Sequence, residues 1–207
     1  VESLEEPLDQ RIGGGFGGVA EYGITVRWNK NYLTLIRAML ERRSGFALYG
    51  GIRFGGTLTT DQAFALGFDH IALCTGAGRP TLLNIPNGMA HGVRAASDFL
   101  MALQLTGASR RDSLANLQVR LPAVVIGGGL TAMDTATETL AYYVEQVEKF
   151  LVRHEALVAG SSEASIRSGW SEAETLIADE FLSHAKAIRQ ERALALANGR
   201  PPRLAKL

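Results

Sequence analysis

The sequence predicts an α/β chain, and three observations carry that prediction. Ala123-Val124-Val125-Ile126 is a short apolar run that stops at Gly127-Gly128-Gly129, after which helical spacing begins. Phe68 to Cys74 is a second apolar run, and it also ends in a glycine-bearing turn, Thr75-Gly76-Ala77-Gly78. Beyond Phe150 the alternation of strand and helix gives way to helical periodicity alone. Strand, glycine turn and helix in that order are the repeating unit of a sheet flanked by helices.

The elements follow in chain order. Gly13-Gly14-Gly15-Phe16-Gly17-Gly18 suits neither helix nor strand and reads as a loop, either a ligand-side turn or a disordered end. Leu33, Ile36, Met39 and Leu40 recur at helical spacing, with Asn29 or Asn31 as cap and Arg42, Arg43 and Gly45 at the C-terminus. Phe46–Tyr49 and Ile52–Phe54 read as short strands. Thr59 or Thr60, followed by Asp61-Gln62, opens a short helix that ends at Gly67. A helix is expected from about Ala95 to Leu105, and another from near Thr131 past Tyr143. Ser171-Glu172-Ala173-Glu174 is a capping-box pattern, and Ile177, Phe181, Ala185 and Ile188 then form one apolar stripe to about Ala197. That stripe needs a partner surface, in this chain or another.

Composition narrows the function classes. The chain has 207 residues, 46% hydrophobic and 20% charged, and 21 basic residues balance 21 acidic ones. No global field therefore draws it to nucleic acid or anionic membranes. With one cysteine, Cys74, there is no intrachain disulfide and no paired-cysteine redox or zinc motif. A reducing, cytoplasmic setting is expected, and no segment reads as a membrane span or signal peptide.

The sharpest chemical motif is Gly127-Gly128-Gly129-Leu130-Thr131-Ala132, which fits Gly-x-Gly-x-x-Ala. The first glycine permits the turn and the second lets a diphosphate approach the backbone. A small third residue lets helix and strand lie close. A helix N-terminus then offers N–H groups and a positive dipole end to phosphate. The second strand, tipped by an acid or an arginine, does not follow where a dinucleotide fold requires it. Either an insertion delays it or the fold is not of that type.

Other reactive residues read more plainly. Cys74 reads as a small buried hydrophobe, and His70 as a structural histidine in the same strand. His91, His154 and His184 have no companion at metal-ligand spacing, so no metal site is expected. Asp134 is either a surface charge or a group facing a cofactor. Arg27 and Lys30 flank Trp28, either as a solvated pair beside a packed ring or in contact with a flavin or substrate.

Taken in order, Thr75-Gly76-Ala77-Gly78, Pro80, Ile85-Pro86, Gly92-Val93, Ala96-Ser97-Asp98-Phe99-Leu100 and Val124 to Ala136 resemble the small-subunit type of glutamate synthase. That family includes the flavoprotein part of dihydropyrimidine dehydrogenase. Tyr22-Gly23-Ile24 and Val26-Arg27-Trp28 resemble its flavin-domain segment, so the likeness spans roughly residues 13–145. The resemblance implies a partial FAD-binding domain at 13–90, the start of a Rossmann-like NAD(P)-binding domain at 95–145, and a helical insertion and tail at 146–207. It implies hydride transfer from NAD(P)H to FAD and electrons passed on to an acceptor protein or iron–sulfur subunit. Thr75, Gly76 and Ala77 would meet FAD, and Gly127, Gly128, Gly129, Leu130, Thr131 and Ala132 would meet the nicotinamide nucleotide. No residue is singled out as a catalytic acid or base, because the cofactors carry the hydride. The family's first FAD-binding glycine loop is missing from residues 1–12, Leu130 stands where relatives commonly have Asn, and the return to the FAD domain would lie past Leu207. The chain therefore reads as a fragment with both nucleotide sites incomplete. The alternative is a non-catalytic interaction module, in which the helix at 171–197 docks a partner.

Overall fold

The computed structural model describes residues 33–75, 80 and 82–204, which fall into two compact units divided between Val93 and Arg94. The expectations for Gly13–Gly18, for Tyr22–Trp28, for Lys30 and for Gly76 and Ala77 lie outside those residues.

Among its described residues, the unit ending at Val93 has two helices. α1 (Leu33–Glu41) carries an exposed Arg37–Glu41 pair at 2.7 Å, one turn apart. α2 (Thr60–Ala65) begins at a closed capping box. The Thr59 hydroxyl accepts from the Gln62 N–H at 3.3 Å, and the Gln62 side chain accepts from the Thr59 N–H at 2.9 Å. Little is packed here: among the described residues of this unit Ala63 is the one that is buried.

From Arg94 onward the regular structure among the described residues is helical. α3 (Ala96–Leu105) and α4 (Leu130–Gly160) are joined by a strap, residues 106–129. α5 (Glu163–Arg167) is a single turn, and α6 (Glu172–Ala197) follows it. α6 returns antiparallel along α4, since Glu155 pairs with Arg189 whereas the earlier Glu148 pairs with the later Arg192. Neighbouring tyrosines of α4 point to two cores because successive helical residues diverge by about 100°. Tyr143 joins Val147, Leu151, Phe181, Leu182, Ala185 and Ile188 between α4 and α6. Tyr142 joins Phe99, Leu100, Leu103 and Ala108 on the α3 side. The stripe of α6 thus finds its partner surface within this chain.

The Ser171 cap is as its sequence implies: its hydroxyl accepts from the Glu174 N–H at 3.3 Å and the Glu174 carboxylate accepts from the Ser171 N–H at 2.7 Å. Hydrogen bonds donated by the Ser171 N–H and the Ser171 hydroxyl hold the Glu174 carboxyl below its usual pKa. Ser171→Ala should cost about 1 kcal/mol of α6 stability, seen as faster amide exchange in its first turn. Unchanged protection there would remove the cap from the account.

The α/β expectation is corrected. Among the described residues there is no sheet, and the one β-contact is an isolated bridge between Phe54 and Leu58. The runs at 46–49, 68–74 and 123–126 are not strands, and Val124 and Ile126 are 89% and 66% exposed. A partial FAD domain or an opening Rossmann-like domain has no counterpart here. The physical reason is that an apolar, β-branched run encodes only a local preference. A strand exists by exchanging hydrogen bonds with a neighbour, and these runs have none among the described residues. Cys74 is exposed rather than buried, and His70 is exposed as well. Asp134, expected at the surface or at a cofactor, is a buried residue of α4.

Candidate functional site

The densest polar chemistry lies on one face of α4. Tyr142, Gln146, Lys149 and Arg153 follow at spacings of four, three and four, which stacks them along one side of a helix. All four grip the backbone of the strap. The Tyr142 hydroxyl accepts from the Leu117 N–H at 3.1 Å. Gln146, 1% exposed, accepts from the Val119 N–H and donates to the Val119 carbonyl, both at 2.8 Å. Its amide thus does for Val119 what a neighbouring strand would do. The Lys149 ammonium donates to the carbonyls of Ala108 at 2.6 Å and Ala115 at 3.1 Å, and lies 3.3 Å from those of Arg110 and Ser113. Arg153 donates to the carbonyls of Ser113 at 2.6 Å and Arg111 at 3.2 Å. Burial, with Arg153 nearby, pushes the Lys149 pKa below its ordinary value.

A cavity of about 730 Å³ opens between α4, α5 and α6, with Leu151, Val158 and Leu182 as its apolar lining. Glu155, Glu163, Arg167 and Asp179, among its charged groups, are each in an ion pair. Arg167 reaches Glu163 at 2.5 Å and Asp179 at 2.7 Å while lying 5.2 Å from the Trp170 ring centre. Glu155 holds Arg189 through two contacts of 2.8 Å, which lowers the Glu155 pKa. His154 stacks on Phe150, and its buried Nε2, 3.4 Å from Glu163, makes no hydrogen bond among the described residues. The arrangement pins α5 to the hairpin. Across the core, the Tyr143 hydroxyl and His184 Nδ1 share a 2.6 Å hydrogen bond, and burial raises the Tyr143 pKa to about 12. Arg120 of the strap pairs with Glu180 of α6.

The C-terminal tail is fastened by Glu191. Its carboxylate accepts from the Arg200 guanidinium at 2.6 and 3.1 Å and from the Arg203 N–H at 2.7 Å, which lowers its pKa to about 2. An acid depressed on folding contributes stability above its unfolded pKa and loses it as pH falls through the folded one. The tail should therefore stay docked at neutral pH and loosen as pH drops from about 4.5 toward 2. The Arg203 amide, followed by NMR exchange, reads this. Loosening that begins well above pH 4.5 would contradict the assignment.

The residues expected to meet nucleotides are placed as follows. Gly129 caps α4 and its carbonyl accepts from the N–H groups of Ala132 at 3.0 Å and Met133 at 3.1 Å. Gly127 has φ +142°, and a Cβ there would lie 3.2 Å from the Ala132 Cβ. Gly128 and Gly129 face open space. Leu130 is 75% exposed, and the Thr131 carbonyl accepts from the Thr135 hydroxyl. Thr75 is exposed and belongs to the other unit. What residues 127–132 build is a helix N-terminus, which every α-helix has. No parallel strands flank it among the described residues. No group of three or more His, Cys, Asp or Glu among the described residues could hold a metal ion. No helix among them is long and apolar enough to cross a membrane. The strap-gripping face escaped sequence reasoning, although its spacing was a signal: four polar residues aligned on a helix that is otherwise buried on that side.

No family model matches the chain, and no solved structure matches it. Over 183 residues it is 49% identical to the uncharacterized protein RP006 of Rickettsia prowazekii (strain Madrid E), a match covering 88% of this chain and 24% of that protein. The chain thus spans about a quarter of the length of that relative. The resemblance to the glutamate synthase small-subunit type is corrected by these findings. Among the residues that carried it, Val124 to Ala136 form an unpaired segment and the start of a long helix rather than a sheet edge, and the relative is uncharacterized.

Proposed function

We propose that this chain is a non-catalytic interaction module. In this reading α4, α6 and the gripped strap form a stiff support, and the unit ending at Val93 presents apolar side chains to a partner polypeptide. One observation carries it: Met39, Tyr49 and Phe68 are 63%, 75% and 53% exposed in a unit whose one buried residue, among those described, is Ala63. Apolar surface of that extent marks a site that associates. The Rickettsia relative, three quarters of which lies outside the match, has further polypeptide that could supply such a surface. Hydride transfer from NAD(P)H to FAD was implied by the family resemblance, and with that resemblance corrected the activity has lost that support. A reducing, cytoplasmic setting belongs to the proposal, supported by a lone, exposed Cys74.

The test joins two readouts on the purified chain. After desalting, the protein should show no flavin absorbance and no NAD(P)H oxidation. An apolar dye should fluoresce with it, less so in a Met39→Asp, Phe68→Asp variant. A stoichiometric yellow protein bleached by NAD(P)H would overturn the reading, and so would a chain that leaves the dye dark.

A further inference from the structure

α5 forms one wall of the cavity, yet none of its own residues is buried. Gly160 and Gly169 bracket it, each with open space where a side chain would stand, which leaves the backbone room to swing the segment. The Arg167–Glu163 pair lies within α5 and gives no hold on the hairpin. The Arg167–Asp179 pair does reach α6, but Asp179 is 57% exposed, and ion pairs so open to water hold little. What remains is His154 of α4, 9% exposed, with Phe150 stacked on its ring and Trp170 at 6.3 Å. Its Nε2 stands 3.4 Å from the Glu163 carboxylate and makes no hydrogen bond among the described residues. A buried polar nitrogen left in that state is costly.

We propose that His154 is a proton-operated latch for α5. On taking a proton from solvent, its Nε2 donates to the Glu163 carboxylate and draws α5 down over the cavity; on losing that proton it releases α5. A neutral imidazole has one N–H to share between two nitrogens, whereas the imidazolium donates from both. Protonation thus supplies the missing donor together with the charge that strengthens it. The charged groups around the ring are Glu155 on α4, Glu163 and Arg167 on α5, and Asp179, Lys186 and Arg189 on α6. Acids and bases balance there, so the nearest group decides, and that is Glu163. The closed state binds the proton more tightly than the open one, so closure is favoured as pH falls and lost as pH rises.

Amide exchange followed by NMR tests the latch, because a single helical turn does not persist undocked. The reporters are the N–H of Ile166, bonded to the Ser162 carbonyl, and that of Trp170, bonded to the Arg167 carbonyl. Their protection, corrected for intrinsic exchange, should fall roughly tenfold in the wild type between about pH 5 and 8, where imidazoles change charge. In a Glu163→Gln variant the protection should be lower and flat with pH, since the carboxylate that answers the proton is gone. Wild-type protection that does not change over that range would overturn the proposal. So would a decline that persists in the variant, which would assign the proton to another group such as His184.

Discussion

Gln146→Glu should destabilise the unit from Arg94 onward by about 3 kcal/mol at neutral pH, an effect that shrinks in acid. The substitution is nearly isosteric, so packing around the site is kept. What changes is one atom: the amide nitrogen that donates to the Val119 carbonyl at 2.8 Å becomes an oxygen facing that carbonyl. At 1% exposure water cannot screen the clash, and the carboxyl responds by holding its proton. Its folded pKa is thereby raised above the unfolded value of about 4.3. The folded state then binds more protons than the unfolded one, so stability relative to wild type falls as pH rises above that value. Below it the protonated acid can still donate to the Val119 carbonyl, and most of the loss is recovered. Urea unfolding of both proteins from acid to neutral pH reads the difference directly. A difference that is small and flat with pH would show that Gln146 does not hold the strap.

Lys149→Met should cost about 2 kcal/mol and open the strap locally. Methionine keeps most of the aliphatic stem, so the loss isolates the ammonium. Four carbonyls, those of Ala108, Arg110, Ser113 and Ala115, lie within 3.3 Å of that one group. Arg153 continues to hold Arg111 and Ser113, which limits the effect to the strap. The Arg110 carbonyl loses Lys149, so limited trypsin digestion should cut after Arg110 faster in the variant while α4 stays intact. Equal cleavage in the two proteins would mean that the carbonyls are satisfied without Lys149.

Where the sequence could be read, the determinants were local. The capping boxes of α2 and α6 use residues three apart, and the stripe of Phe181, Ala185 and Ile188 follows from helical period alone. α4 was legible at its start, near Thr131, and in the helical character that follows, but not as one unbroken helix, since a domain boundary was expected between 145 and 146. Residues 145–160 continue it unbroken, and nothing in a local pattern says how far neighbours will extend a helix. The sheet failed for the converse reason. Ala123–Ile126 has the composition of a buried strand, yet composition cannot supply the neighbouring backbone that makes one. The grip on the strap was hidden because its contacts join residues 25 to 42 positions apart, from Leu117–Tyr142 to Arg111–Arg153. Asp134 was misplaced because burial of a charge depends on what folds over it, which its own helix does not reveal.

The central claim is that a stiff helical support is joined to a unit with little packed core. Amide hydrogen exchange across the whole chain, measured by mass spectrometry at low protein concentration, tests it most directly. Strong, cooperative protection is expected over the facing parts of α4 and α6 and at Leu117 and Val119. Residues 46–54 and 68–74 should exchange near the rate of an unstructured chain. Protection at 68–74 and 123–126 as strong as that of α4 would mean paired strands, and would contradict the account.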